Sequence, residues 1–153
     1  MTGLFKKIQT AVKNRTTYRT GLLQDKAYRI LKSFTTEALT SYKISTVDWA
    51  LLGLLYDRSE GEKPSVLASE LGVEAPFVTV LVAGLVERGY LEVRKNTHDS
   101  RSKTIFLTKD GRLFVATVEK DLRTKIAPMI AGIPTSDLIA YLSVLEKIIE
   151  NNN

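Results

Sequence analysis

The sequence predicts a mainly α-helical fold that carries one small β-hairpin, and three observations lead there. Apolar residues recur at i, i+3/i+4 and i+7 through most of the 153 residues, the spacing that lines one face of a helix. Two short runs rich in β-branched and aromatic residues, Tyr90 to Lys95 and Lys103 to Leu107, flank a polar loop. Gly61, Gly72, Gly89 and the Gly132/Pro134 pair fall where periodic stretches stop, as turn and helix-terminating residues do.

Residues 1–21 read as a basic N-terminal extension. No acidic residue precedes Asp25, while Lys6, Lys7, Lys13, Arg15 and Arg19 interleave with Leu4, Phe5, Ile8 and Val12. A basic arm that tracks phosphates or supports a dimer is the preferred reading; a solvated helix extension and a membrane-surface or transit segment stay open beside it. From Leu22, the residues Leu23, Ala27, Ile30, Leu31, Phe34, Ala38 and Tyr42 define one long amphipathic helix. Ser45-Thr46-Val47-Asp48 has the form of a capping box, and Val47, Leu51, Leu54 and Leu55 are the expected buried stripe of the helix it starts.

Pro64-Ser65 opens a short helix with Val66, Leu67 and Leu71 inward, closed by Gly72. A further helix runs from about Ala75 to Arg88, with Val78, Leu81, Val82 and Leu85 as its core face. The hairpin follows, its tip formed by residues 96–102. Thr108-Lys109-Asp110-Gly111 caps the next helix, whose stripe is Leu113, Phe114, Val118, Leu122, Ile126 and Met129. A last helix begins near Thr135 and presents Leu138, Leu142, Leu145 and Ile149.

This order is a winged helix-turn-helix, residues 46–111, framed by a helical region of residues 22–45 and 112–150. The terminal stripes are too extensive for the central lobe to cover. Self-association into a homodimer is the simplest way to bury them.

Composition narrows the function. Cysteine is absent, which excludes disulfides, thiolate metal sites and cysteine nucleophiles and agrees with a reducing cytoplasm. No apolar run approaches the ~20 residues of a membrane span, and no secretory signal is read at the N-terminus. One histidine, with no Walker, dinucleotide-binding or metal-ligand spacing, names no nucleophile-base pair and no phosphate cradle, so neither an enzyme nor a cofactor nor a metal is expected. His98 is read as an exposed loop residue, and Asn14-Arg15-Thr16 as a chance match to a glycosylation site. The net charge is +5 and favours an anionic partner. Residues 1–46 carry nine Lys/Arg against two acids, so most of the excess is N-terminal.

Leu67-Ala68-Ser69-Glu70-Leu71-Gly72-Val73, then Val78-Thr79, then Leu85-Val86-Glu87-Arg88-Gly89-Tyr90-Leu91 follow the helix-turn-helix of the MarR family of bacterial regulators and its exit into the wing. Asp99-Ser100-Arg101, followed by Leu107-Thr108-Lys109-Asp110-Gly111-Arg112, resembles that family's wing signature, and Ile133-Pro134-Thr135 its final dimerisation helix. The resemblance covers about Leu22 to Ile149. It implies a homodimeric regulator of double-stranded DNA with recognition helices in successive major grooves about 34 to 36 Å apart and wings at the flanking minor groove. It also implies a small aromatic effector. Tyr28, Tyr42 and Trp49, with Tyr18 and Phe34, have the spacing of a cleft lining, and equally of ordinary core or interface packing, which is preferred.

The candidate DNA-binding residues are Ser65, Phe77, Thr79 and Val80 on the helix-turn-helix and Arg94, Lys95, Arg101 and Lys103 on the hairpin. Plain surface charge is the alternative for the hairpin cations. The outer face of the Ala75–Arg88 helix, with Pro76, Phe77, Thr79, Val80, Ala83 and Gly84, departs from the family in lacking polar and basic residues. One reading makes it a specificity surface of Thr79 and apolar contacts to thymine methyls, aided by shape readout at the wing. The other makes the protein a winged-helix protein-protein interaction module that has lost base-specific DNA readout.

Overall fold

The computed structural model describes residues 17–95 and 103–152. Their elements follow the expected order: α1 (Thr17–Thr40), α2 (Thr46–Tyr56), α3 (Pro64–Leu71), α4 (Ala75–Glu87), β1 (Leu91–Lys95), β2 (Lys103–Leu107), α5 (Lys109–Ile126), a 3-10 turn (Ala127–Met129) and α6 (Thr135–Glu150). Contacts divide the chain into two compact units, Met1–Val118 and Glu119–Asn153.

In the first unit the core is built from Leu39 of α1, Leu51, Leu52 and Leu55 of α2, Leu67 of α3, Val78 and Leu85 of α4, Ile105 of β2 and Val118 of α5, all almost wholly buried. The capping box forms as the sequence predicts: Ser45 Oγ accepts from the Asp48 N–H at 3.1 Å while the Asp48 carboxylate accepts from the Ser45 N–H at 2.9 Å. β1 and β2 pair antiparallel from Leu91↔Leu107 to Lys95↔Lys103. A one-residue third strand adds to β2, because Glu62 and Ile105 exchange backbone hydrogen bonds of 2.9 and 2.8 Å. Gly61 makes that approach achievable: its φ is +68°, and a Cβ there would lie 2.5 Å from the Ile105 carbonyl oxygen.

Two expected stripes are corrected, those of α2 and α5. On α1 the burial lies in Ala38 and Leu39 at its C-terminal end, whereas Leu22, Leu23, Ile30 and Leu31 of the expected apolar stripe are exposed. On α2, Leu52 is buried and Leu54 only half-buried, since the helix is covered on more than one side. On α5, Leu113 is exposed and Val115 buried, because the inward row runs through Gly111, Val115 and Val118. In the second unit α6 starts at Thr135 as expected, and none of its residues is buried.

Candidate nucleic-acid interface

Sequence chemistry sets the geometry of α3 and α4. Pro64 occupies the first turn of α3, where its missing N–H costs nothing. Gly72 closes the helix in the left-handed conformation at φ 63°, and the Val73 N–H reaches back to the Ala68 carbonyl at 3.0 Å. The chain then turns by 108° into α4, inside the 90–120° range of a helix-turn-helix. Ser65 is exposed in the first turn of α3.

Helix α4 divides sharply. Val78, Val82 and Leu85 are buried and fix its orientation, with Leu81 half-buried beside them. Phe77 (43% exposed), Val80 (67%), Thr79, Ala83 and Gly84 face outward. Thr79 Oγ1 donates to the Ala75 carbonyl at 3.3 Å, so its hydroxyl proton is directed back into its own helix. Glu74 and Glu87 stand exposed at the two ends.

The hairpin separates its cations by chemistry. Arg94 pairs with Glu92, and its guanidinium lies 4.3 Å from the centre of the Phe106 ring; its charge is therefore partly compensated where it stands. Lys95 and Lys103 are both exposed and are directly opposed across the ladder. Like charges in that relation destabilise a hairpin, and an anion between them relieves the repulsion. Arg101, with the rest of the wing tip, and the basic residues 1–16 lie outside the described residues.

Three arginines outside the candidate DNA-binding set serve the frame. Arg88 donates to the Lys43 and Tyr42 carbonyls at 2.8 and 2.9 Å and lies 4.9 Å from the Tyr90 ring centre, tying the end of α4 to the turn after α1. Arg112 donates to the Tyr56 carbonyl at the end of α2 at 3.0 Å. Arg58 makes 2.7 Å bonds to both oxygens of the Glu70 carboxylate and one of 3.0 Å to Glu62. The hydrogen bond to Glu70 holds the Arg58 guanidinium pKa above its ordinary value, against some desolvation and with help from the charges of Glu70, Glu62 and Asp57.

The aromatic candidates are spread out. Tyr42 packs edge-on to Phe114 at 6.0 Å, and Phe114 stacks on Tyr90 at 4.2 Å. Trp49 is half-buried on α2. Tyr28 is exposed on α1 with the Lys32 ammonium 5.5 Å from its ring centre, about three helical turns from the end of α1 that precedes Tyr42. Among the described residues no group of His, Cys, Asp and Glu is placed to hold a metal, and no single helix is long and apolar enough to cross a membrane.

Comparison with known proteins places this geometry. Residues 42–102 match the model of the MarR family. The chain is 27% identical over 119 residues to the transcriptional activatory protein BadR of Rhodopseudomonas palustris, covering 76% of this chain and 68% of BadR. Among solved structures it is similar to CouR from Rhodococcus jostii RHA1 bound to p-coumaroyl-CoA, with TM-score 0.75 and 21% identity over 84% of this chain and 90% of that one. It is likewise similar to S. aureus MepR in its DNA-binding conformation, with TM-score 0.74 and 19% identity over 90% of this chain and 100% of MepR. The likeness to the two structures is one of fold.

Proposed function

We propose that the chain is a transcriptional regulator of the MarR type that binds double-stranded DNA as a homodimer, a reading supported by the match of residues 42–102 to the MarR family model and by the likeness of fold to MarR-type structures. Its recognition helix α4 lies in the major groove and its wing at the flanking minor groove. The observation that carries this reading is the pair α3 and α4, joined at 108°, with the outer face of α4 free and the opposed Lys95 and Lys103 on the adjoining hairpin. Ser65 and the lysines neutralise or bond phosphates and set register, Phe77, Thr79 and Val80 meet the bases, and Arg94 and Arg101 add to the wing. Residues 46–111 form the DNA-binding lobe, and residues 22–45 and 112–150 supply dimerisation through the apolar faces left exposed on α1 and on α6. Such a regulator works in the cytoplasm. A small aromatic effector belongs to the same reading, supported by the p-coumaroyl-CoA bound to CouR.

The test is fluorescence anisotropy of the purified protein on DNA from upstream of its own gene and on scrambled DNA, across a salt series. Specific DNA is expected to bind about 10³-fold more tightly, with affinity falling steeply as salt rises. The apolar outer face of α4 favours one second reading, a winged-helix module that docks protein. Equal, weak binding to both DNAs at physiological salt would select it.

A further inference from the structure

The outward residues of α4 carry no group suited to the usual base-edge hydrogen bonds. No Arg, Lys, Asn or Gln occurs between Ala75 and Glu87, and the one hydroxyl on the exposed face, that of Thr79, directs its proton to the Ala75 carbonyl. What the face does present is apolar surface: Phe77 and Val80 one turn apart, then Ala83 and Gly84 on the next turn, with open space around Gly84. Residues 77–84 extend about 10 Å along the helix, the length of roughly three base-pair steps. In the major groove every base edge offers hydrogen-bonding groups, and the single apolar feature is the methyl group on C5 of thymine.

Resting on the DNA-binding reading above, we infer that α4 reads the 5-methyl groups of pyrimidines in the major groove instead of hydrogen-bonding patterns. Phe77 and Val80 are the methyl contacts, and the small Ala83 and Gly84 allow the helix to lie close to the base edges. Glu74 and Glu87 keep the ends of α4 away from phosphate, so attraction to the backbone comes from outside α4, with Lys95 and Lys103 of the hairpin among its sources, and carries no sequence preference. Selectivity and affinity are thereby divided between two elements. A further consequence is chemical: 5-methylcytosine presents the same methyl at the same ring position as thymine, so methylation of cytosine at a contacted position strengthens binding.

The experiment uses the full-length protein and a tight-binding duplex selected from a random pool, prepared with thymidine and with deoxyuridine throughout. Removing the methyls leaves pairing and phosphate charge untouched. Each lost contact is expected to cost about fourfold in affinity, hence about fifteenfold for one contact in each half-site of a dimer, with the salt dependence unchanged. Val80→Ala, at a site exposed enough to leave the fold intact, is expected to bind the thymidine duplex more weakly and to lose most of the difference between the two duplexes. Cytosine methylation at a contacted position should raise affinity by a similar factor. Equal binding of the thymidine and deoxyuridine duplexes, both well above scrambled DNA, overturns methyl reading and leaves the regulator standing. Failure of the pool to yield any duplex bound above scrambled DNA overturns both and turns the α4 face into a protein-docking surface.

Discussion

Thr108 ties together three backbone groups: its hydroxyl lies 2.7 and 3.1 Å from the Gly89 and Tyr90 carbonyls and accepts the Gly111 N–H at 2.9 Å. The last of these is the N-terminal cap of α5, and the first two lock that cap to the exit of α4 into the hairpin. Thr108→Ala removes all of them and is expected to cost about 1–2 kcal/mol, read as a lower urea midpoint with an unchanged slope. Gly61 is set by space and by dihedral angle together. Gly61→Ala places a side chain in the left-handed region and against the Ile105 carbonyl oxygen, 2.5 Å away, so the Glu62–Ile105 bridge must open. A loss of more than about 2 kcal/mol is expected by the same titration. Both residues are legible in the sequence as a cap and a turn; the contacts that make them costly to replace join segments distant in the chain.

Among the elements, α4 has the most demanding task in the proposed function, since a helix that reads DNA must be held at a fixed attitude while one face stays bare. Its buried row of Val78, Val82 and Leu85 supplies the seat, and Arg88 at its C-terminal cap supplies the tie to the carbonyls of Tyr42 and Lys43. Arg88→Gln shortens that tie and removes its charge. The fold is expected to lose only about 1 kcal/mol, because the bonds are exposed. Affinity for a specific duplex is expected to fall more than affinity for scrambled DNA, since a loosened helix harms base contacts first. Anisotropy on both duplexes, beside a thermal melt, separates the two effects. The aromatic stack of Tyr42, Phe114 and Tyr90 lies at the same junction, which places Tyr42 in packing, the alternative its spacing allowed from the outset.

At the scale of the whole molecule the outstanding fact is the apolar surface exposed on the described helices of each unit. Helix α6 exposes Ile139, Tyr141, Leu142, Val144, Ile148 and Ile149, with Leu142 58% exposed, and α1 exposes Leu22, Leu23 and Ile30. A helix apolar on more than one side is stable in water only when something covers it. Leu142→Asp is expected to convert a dimer to a monomer in light scattering behind size exclusion. The unsubstituted protein should show a melting temperature that rises with its concentration. A single dimeric mass for both would place the subunit interface elsewhere.

The order of elements, the capping box at Ser45, the turn at Gly72, the hairpin and the starts of α5 and α6 are legible in the sequence, because each is written within a few neighbouring residues. The bare apolar face of α4 is legible for the same reason: a helix of known phase has a predictable outside. Which residues of α1, α2 and α5 are buried required the tertiary structure, since Leu39, Leu52 and Val115 are buried and Leu22, Leu23 and Leu113 are exposed. So did the cations. Arg88, Arg112 and Arg58 engage partners 45, 56 and 12 residues away, and Arg94 stacks on the opposite strand, leaving Lys95 and Lys103 as an opposed pair. Local spacing records which residues a helix or turn brings together. Which distant group a charge or an apolar side chain meets is decided only when the helices close around a common core.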